Sequence, residues 1–364
     1  MRRLCVARPG LHCRSPFETM TSTILVTGAA GFIGMHVSAL LAGAGHRVVG
    51  VDNLNDYYDP ALKRARLAEL SVHRSFSFER VDVADATAIQ DVFARERPQY
   101  VVHLAAQAGV RYALDHPLAY VSSNLQGSTV ILEACRRHEV RHLVFASSSS
   151  VYGGNVRVPF RETDRVDHPV SFYAATKRGN ELMAHSYAHL FALPVTMLRY
   201  FTVYGPWGRP DMAIWKFTNG LLSNTPIDVY AGGDLSRDFT HVADSAQATC
   251  ELLFRPPKSS GAGPASIAEA RPDHSWAPFE IYNVGRSDPV SVNQLISLLE
   301  THTGARAIRR ELPMQPGDVE RTFADPSKLR AATGFEPRVA LDEGLEEFVR
   351  WFRAWRARSG GATG

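Results

Sequence analysis

Apolar positions in the first two hundred residues fall into two alternating textures. Short runs rich in β-branched residues, at 24–26, 46–52, 76–83, 101–105, 143–147 and 195–201, predict strands. Between them, 32–42, 86–96, 120–138 and 172–191 carry the wider apolar spacing of helices. Strand and helix in turn predict an α/β fold, a Rossmann-type doubly wound parallel sheet. After Gly205 the texture changes to Pro-, Gly- and Asp-rich turns, short strands and shorter helices, which predicts a smaller C-terminal α/β domain over the carboxyl ends of the strands, suited to hold a substrate. Residues 255–278 are rich in Pro, Ser, Gly and Ala without a periodic apolar face and read as a surface excursion that rejoins a strand at 279–284. Near the end, Leu345, Phe348, Val349 and Phe352 make a helical core stripe within 341–355. The expected division is an extension over 1–20, a nucleotide-binding unit over 21–205, a second unit mainly over 206–356, and a tail over 357–364.

The first strand runs into Thr27-Gly28-Ala-Ala-Gly31-Phe-Ile-Gly34 and then into a helix. This strand–turn–helix context lets a diphosphate approach backbone N–H groups where the helix dipole favours negative charge. The second strand ends in Asp52, at close to the usual distance from the last glycine for a carboxylate that holds a ribose 2′-hydroxyl. A carboxylate there would repel a 2′-phosphate, so NAD is favoured over NADP as cofactor. Downstream, Tyr173 and Lys177 stand four residues apart on a predicted helix and share a face. An ammonium near a phenol lowers its pKa toward neutrality and makes it a base for a sugar hydroxyl. Alone, such a pair is most often a solvated helix face; the glycine turn upstream changes that balance. The serines at 147–150, at the end of the fifth strand, lie where such sheets bind ligands, and a hydroxyl there has a task beside the Tyr–Lys pair.

Composition narrows the field. Lys and Arg number 40 against 37 Asp and Glu, a net charge of +3, too small for a nucleic-acid surface. The four cysteines, Cys5, Cys13, Cys135 and Cys250, form no metal-ligand spacing, and the histidines are scattered, so no metal site is expected. Residues 1–18 lack the apolar run of a signal peptide, and Met20 directly precedes the first strand; the leading segment reads as an extension or a misassigned start, with a transit peptide as the minor alternative. No run reaches membrane-spanning length, and a cytoplasmic protein is expected.

With its G-x-x-G-x-x-G turn and Tyr-x-x-x-Lys, the chain resembles the extended short-chain dehydrogenase/reductase family. Ser148 stands before Tyr173 at the spacing found in the nucleotide-sugar 4-epimerases of that family. Longer runs, Asp52-Asn-Leu-Asn-Asp-Tyr-Tyr-Asp-Pro60, Gln107-Ala-Gly-Val-Arg-Tyr112, Tyr200-Phe-Thr-Val-Tyr-Gly-Pro-Trp-Gly-Arg-Pro-Asp-Met212, Ser236-Arg-Asp-Phe-Thr240 and Gln315-Pro-Gly-Asp-Val319, resemble the UDP-glucuronate 4-epimerases. Sugar-nucleotide dehydratases carry Asp-Glu, and UDP-glucuronate decarboxylases a Glu, where this chain has Ser149 and Ser150. The resemblance implies an isomerase with retained NAD and a catalytic set of Ser148, Tyr173 and Lys177. It implies that Gly28, Gly31, Phe32, Ile33 and Gly34 cradle the diphosphate, Asp52 and Asn53 the adenosine ribose, Asp82 and Val83 the adenine, and that Leu104, Ala105 and Ala106 line the cofactor channel. For the UDP-sugar it implies Arg237 on phosphate, Met212, Lys216, Val229 and Tyr230 at the uridine, Asp318 at its ribose, and Thr202, Arg209 and Arg111 at the sugar carboxylate, with Ser149 and Ser150 assisting Ser148. A homodimer built through 120–138 and 172–191 is the implied assembly. A 4-epimerase of UDP-glucose or UDP-N-acetylglucosamine and a non-catalytic NAD-binding protein are the alternatives.

Overall fold

The computed structural model describes residues 21–261, 272–314 and 319–358. The first half comprises β1 (Thr23–Thr27), α1 (Phe32–Gly43), β2 (Arg47–Asp52), α2 (Pro60–Leu70), β3 (Phe76–Arg80), α3 (Ala86–Glu96), β4 (Tyr100–His103), the one-turn helices α4 (Tyr112–Asp115) and α5 (Pro117–Tyr120), a π-helical stretch Val121–Gln126, α6 (Gly127–Arg137), β5 (His142–Ser148), α7 (Phe172–Phe191) and β6 (Val195–Tyr200). The second half holds β7 (Thr202–Tyr204), α8 (Ala213–Ser223), β8 (Ile227–Tyr230), β9 (Ser236–His241), α9 (Val242–Leu253), β10 (Phe279–Val284), β11 (Pro289–Ser291), α10 (Val292–Thr303), β12 (Arg309–Leu312), β13 (Arg321–Thr322), α11 (Ser327–Thr333) and α12 (Leu341–Arg358).

Seven parallel strands, in the order β10-β6-β5-β4-β1-β2-β3, form the central sheet. The strand order reverses between β1 and β4, and that is the crevice where such sheets take ligands. Successive strand residues serve opposite faces, yet both faces are apolar because helices cover both. Leu25, Phe145, Met197 and Ile281 pack with Phe93 and Ile131 on one side, and Ile24, Val26, Val144 and Leu198 with Val37 and Val242 on the other. A third core joins Trp215, Phe217, Leu295 and Leu299 to Leu345, Phe348, Val349 and Phe352 of α12, the stripe expected there.

Three features depart from the expected elements. The strand beyond the excursion, β10, pairs with β6 inside the central sheet, and α9 packs against α1, so residues after Gly205 supply parts of both units. The helix expected over 120–138 is interrupted by the π turn, which turns Asn124 into the protein at 1% exposure. Helix α2 had no expected counterpart, because its inward face of Leu62, Lys63, Arg66 and Leu70 places two cations among two leucines and breaks the apolar period. Its start is nonetheless well specified: Asp59 caps Ala61 N–H and Pro60 occupies the first turn. Of the excursion, 262–271 lies outside the described residues; its returning end docks on α7 through Trp276 Nε1, which donates to His189 Nδ1 at 2.9 Å, and through a 2.7 Å bond between Ser275 and His185.

One ion pair ties α7 to the sheet. Arg199 on β6 and Glu181 on α7, at 0% and 1% exposure, are joined through Nε and Nη2 at 2.8 and 2.9 Å. Ser147 Oγ at the end of β5 also donates to Glu181, at 2.6 Å. Burial opposes the charge on Glu181, but Arg199, with Ser147 and the partly exposed Arg178, outweighs it and holds the carboxyl below its usual range. Replacing Arg199 by Met leaves that carboxylate with only Ser147 and Arg178, and the variant should lose roughly 3–5 kcal/mol of stability. Urea unfolding of wild type and variant measures it; a loss below about 1 kcal/mol, the worth of an exposed pair, would deny the pair this role.

Candidate active site

The glycine turn lies at the crevice between β1 and β4. Gly28 has φ +70°, and a Cβ there would come within 2.8 Å of Ala105 N. A Cβ on Gly31 or Gly34 would meet Gly28 O at 2.8 or 2.0 Å. The turn thus folds on itself and against β4 with no space for a side chain. Gly31 caps α1 without a side-chain bond, and the first turn of α1 holds no acid. Its leading N–H groups, those of Phe32, Ile33 and Gly34, are therefore directed outward with the positive end of the dipole, an arrangement that fits the diphosphate of a dinucleotide. Leu104, Ala105 and Ala106 follow β4, half-buried, and Ala105 N–H donates to Thr27 Oγ1 at 3.2 Å, holding that wall against β1.

Asp52 ends β2 beside this turn. Its Oδ1 accepts from Leu54 N–H at 2.8 Å and stands 3.7 Å from Lys63 Nζ. Asn53 Nδ2 donates to Asp82 Oδ2 at 2.8 Å, which brings three of the four adenosine-side residues together. Val83 is different: it is 6% exposed and packs in the core against the α6 start, so its side chain is structural. A cavity of about 510 Å³ opens here, lined by Asn53, Leu54, Asn55, Pro60, Arg64, Arg80 and other residues of the same loop.

Ser148 closes β5, and Tyr173 and Lys177 ride on α7, whose start is set by Ser171 capping Ala174 N–H. Ser150 Oγ donates to Ser148 Oγ at 3.0 Å, and the Ser148 hydroxyl favours the ionised form of the Tyr173 phenol. Burial raises the pKa of Tyr173; Arg209 and the Ser148 hydroxyl draw it back. Lys177, one turn further along α7, is buried against the sheet. Its Nζ donates to Ala146 O at 2.8 Å, and desolvation, opposed by Glu181, brings its pKa down to about 8. The phenol remains above its ordinary value: Arg209, from a loop far along the chain, favours its ionisation, and Asp211 beside Arg209 opposes it.

Arg209 is itself engaged. Its Nε and Nη2 contact Asp211 at 2.9 and 2.5 Å, and Tyr57 donates to the same carboxylate at 3.2 Å. Burial opposes the charges of both partners, and their pairing keeps them ionised. Thr202 is half-buried at the start of β7. Arg111 is exposed and stacks over the Tyr230 ring at 4.8 Å, which unites one residue expected at the sugar with one expected at the uridine. Met212 caps α8, and Lys216 is exposed one turn on. Val229 is fully buried in the third core, so its side chain cannot wall a ligand. Arg237 donates to Ser236 O at 2.9 Å on β9. Beside it Asp238, fully buried, accepts from Arg286, Ser287 and Ala324 N–H and so pins β9 to the turn after β10. Asp318 lies outside the described residues.

Several residues that shape the site carry no motif. Asn124 holds the chain after β4 by accepting from Gln107 N–H and donating to Gln107 O and Thr176 Oγ1. His103, fully buried, bonds Thr27 Oγ1 at 2.7 Å, and burial brings its pKa down to about 3, so it works as a neutral strut. Asp211 and Tyr57 were within quoted runs, yet their pairing with Arg209 needs the fold. Among the described residues no cluster could hold a metal ion, and no helix is long and apolar enough to cross a membrane.

The NAD dependent epimerase/dehydratase family matches residues 24–264. A probable UDP-glucuronate 4-epimerase of Rhizobium meliloti (strain 1021) is 46% identical over 329 residues, spanning 90% of this chain and 96% of that protein. UDP-glucuronate 4-epimerase 1 of Arabidopsis thaliana is 45% identical over 338 residues, 92% of this chain and 77% of that one. The crystal structure of UDP-glucuronic acid 4-epimerase from Bacillus cereus, in complex with UDP-glucuronic acid and NAD, superposes with a TM-score of 0.80 at 31% identity, covering 92% of this chain and 99% of that one. With the glycine turn, the Ser–Tyr–Lys set and a matched region exceeding half its length, the chain belongs to the NAD dependent epimerase/dehydratase family.

Proposed function

We propose that the protein is an NAD-dependent UDP-uronate 4-epimerase that interconverts UDP-glucuronate and UDP-galacturonate through a transient 4-keto sugar. The observation that carries this is the grouping of Ser148 at the end of β5, Tyr173 on α7 and the Asp211-paired Arg209, since Ser148 and Arg209 both favour the ionised phenol. The C6 carboxylate of a uronate lies two carbons from C4, so a cation beside the base that serves C4 also meets the acid group. Bound NAD, held by the glycine turn and Asp52, would supply reversible oxidation at C4. The chain itself handles the proton: Tyr173 Oη takes it from the C4 hydroxyl, steadied by Ser148, and returns it once the keto sugar has turned its other face. Lys177, buried against β5, adds positive charge near the site. Ser149 and Ser150 follow Ser148 as small hydroxyls, with no acid to drive loss of water or carbon dioxide.

Exposed apolar side chains on α7, Leu182 and Leu190 in register with Ala175 and Gly179, together with Val121 on the preceding helical segment, support a homodimer through these helices. A cytoplasmic setting is supported by Cys135, buried as a thiol outside any disulfide.

Tyr173→Phe should lower kcat by about 100-fold or more while the purified variant keeps its NAD, because the base is removed and the glycine turn is untouched. Turnover near that of wild type would remove Tyr173 from the proton transfer. Arg209→Met should cost about 2–5 kcal/mol in kcat/KM for UDP-glucuronate and far less for UDP-glucose, as expected when a desolvated charge loses its partner. Measuring both sugars on folded, NAD-bearing protein separates the roles: equal losses would assign Arg209 to the fold or the nucleotide, and a wild type that prefers UDP-glucose would make the enzyme a neutral-sugar epimerase. Light scattering at working concentration should give twice the mass of the chain, and a monomer would exclude the helical interface.

A further inference from the structure

Arg66 is a fully buried arginine whose five hydrogen bonds equal in number the five N–H donors of its guanidinium. Nη1 donates to Ala30 O in the glycine turn at 3.0 Å and to the Tyr58 hydroxyl at 2.6 Å. Nε and Nη2 both donate to Trp207 O, at 3.2 and 2.7 Å, and Nη2 also to Gly208 O at 3.1 Å. All four acceptors are neutral oxygens. Packing alone does not account for such a residue, since an apolar side chain of similar volume would avoid the desolvation cost of the charge. What the guanidinium does is join two loops that are distant in sequence. One is the turn built to hold a diphosphate, and the other leads directly into Arg209.

The same two loops are tied at neighbouring points. His36 on α1 is hydrogen-bonded to Pro206 O at 3.0 Å. Tyr57 donates to Asp211 while the adjacent Tyr58 accepts from Arg66, so the two tyrosines grip the 207–211 loop from the side of the dinucleotide domain. Arg66 stands at the centre of this contact. In a low-dielectric interior its charge also acts on a diphosphate at the turn without touching it.

We propose that Arg66 is a positioning residue that couples occupancy of the dinucleotide site to the shape of the sugar site. The proposal rests on the epimerase assignment above for its sugar half, and on the cofactor site alone for the other half. Diphosphate charge at the turn strengthens the hold on Arg66 and Ala30, and Arg66 in turn fixes the carbonyls of Trp207 and Gly208, which set the direction in which Arg209 leaves the loop. Coupling of this kind is reciprocal, so a loosened sugar loop also loosens the dinucleotide.

Two variants separate charge from fork geometry. Arg66→Lys keeps a cation but cannot grip the four oxygens as a planar fork, and Arg66→Gln removes the charge. Each is purified as the full chain, and three quantities are measured: NAD bound per folded subunit, Tm, and the ratio of kcat/KM for UDP-glucuronate to that for UDP-glucose. Arg66→Lys should retain most of its NAD yet lose about fivefold or more of the wild-type sugar ratio, in keeping with the usual size of a coupling between sites. Arg66→Gln should lose both. If both variants have a lowered Tm but keep wild-type NAD content and sugar ratio, Arg66 is structural and the proposal fails. Should Arg66→Gln not fold, Arg66→Lys decides alone: a retained sugar ratio overturns the coupling. A wild type that ignores UDP-glucuronate would overturn the substrate assignment instead, and the NAD contents of the two variants would still judge Arg66.

Discussion

The organising constraint of this molecule is a backbone contact in which no side chain fits. At Gly28 the chain leaving β1 passes so close to the chain leaving β4 that a single added carbon would strike Ala105, and at Gly34 the helix start lies equally close to the turn itself. This compression brings the N-terminus of α1 to the mouth of the crevice, with its N–H groups directed outward. The remaining parts of the site are arranged relative to it. Asp52 leaves the adjacent strand, the Leu104–Ala106 wall leaves the strand opposite, and Ser148 leaves the next one over.

Around that turn the protein keeps several charges buried or half-buried, and each is held by a different means. Glu181 and Arg199 answer each other beneath the end of β5, where Ser147 donates to Glu181. Lys177 leans on a strand carbonyl and loses basicity to burial. Arg66 gathers neutral oxygens from two loops, and Arg209 is matched by Asp211. Because charges in such surroundings interact strongly over several ångströms, these groups form one electrostatic neighbourhood in which Arg209 and Asp211 act on Tyr173 in opposite directions. An epimerase of this kind has to hold a nucleotide firmly while the sugar turns. A sugar-side cation already answered by its own carboxylate, and steadied from behind by Arg66, suits that demand better than a bare positive charge would.

The parts legible in the chain are those in which one local pattern has one local meaning. Helices α3 and α7 have the expected limits: α3 repeats its apolar positions behind a capping Asp85, and α7, although it buries Lys177, Asn180 and Glu181, is long and starts at a capping Ser171. Helix α2 was hidden because Lys63 and Arg66 occupy its inward face, and a buried cation looks like a surface residue until its partners are known. The π turn at Val121–Gln126 was hidden for a related reason. Asn124 points inward to hold Gln107 and Thr176, and no apolar spacing records that task. Val229 shows the reverse case: resemblance placed it at the uridine, while the alternation along β8 turns its side chain into the core.

The sequence by itself determined the alternation of strands and helices, the glycine turn with Asp52 after it, and the serine, tyrosine and lysine proposed to carry the chemistry. Each depends on residues close together along the chain, where helix periodicity and turn sterics act directly. Only the tertiary structure decided that β10 completes the first sheet, that Arg209 pairs with Asp211 and Tyr57, and that Arg66 spans the two loops. Those outcomes depend on which residues meet after folding and on how little water remains between them, and neither quantity is written in local spacing.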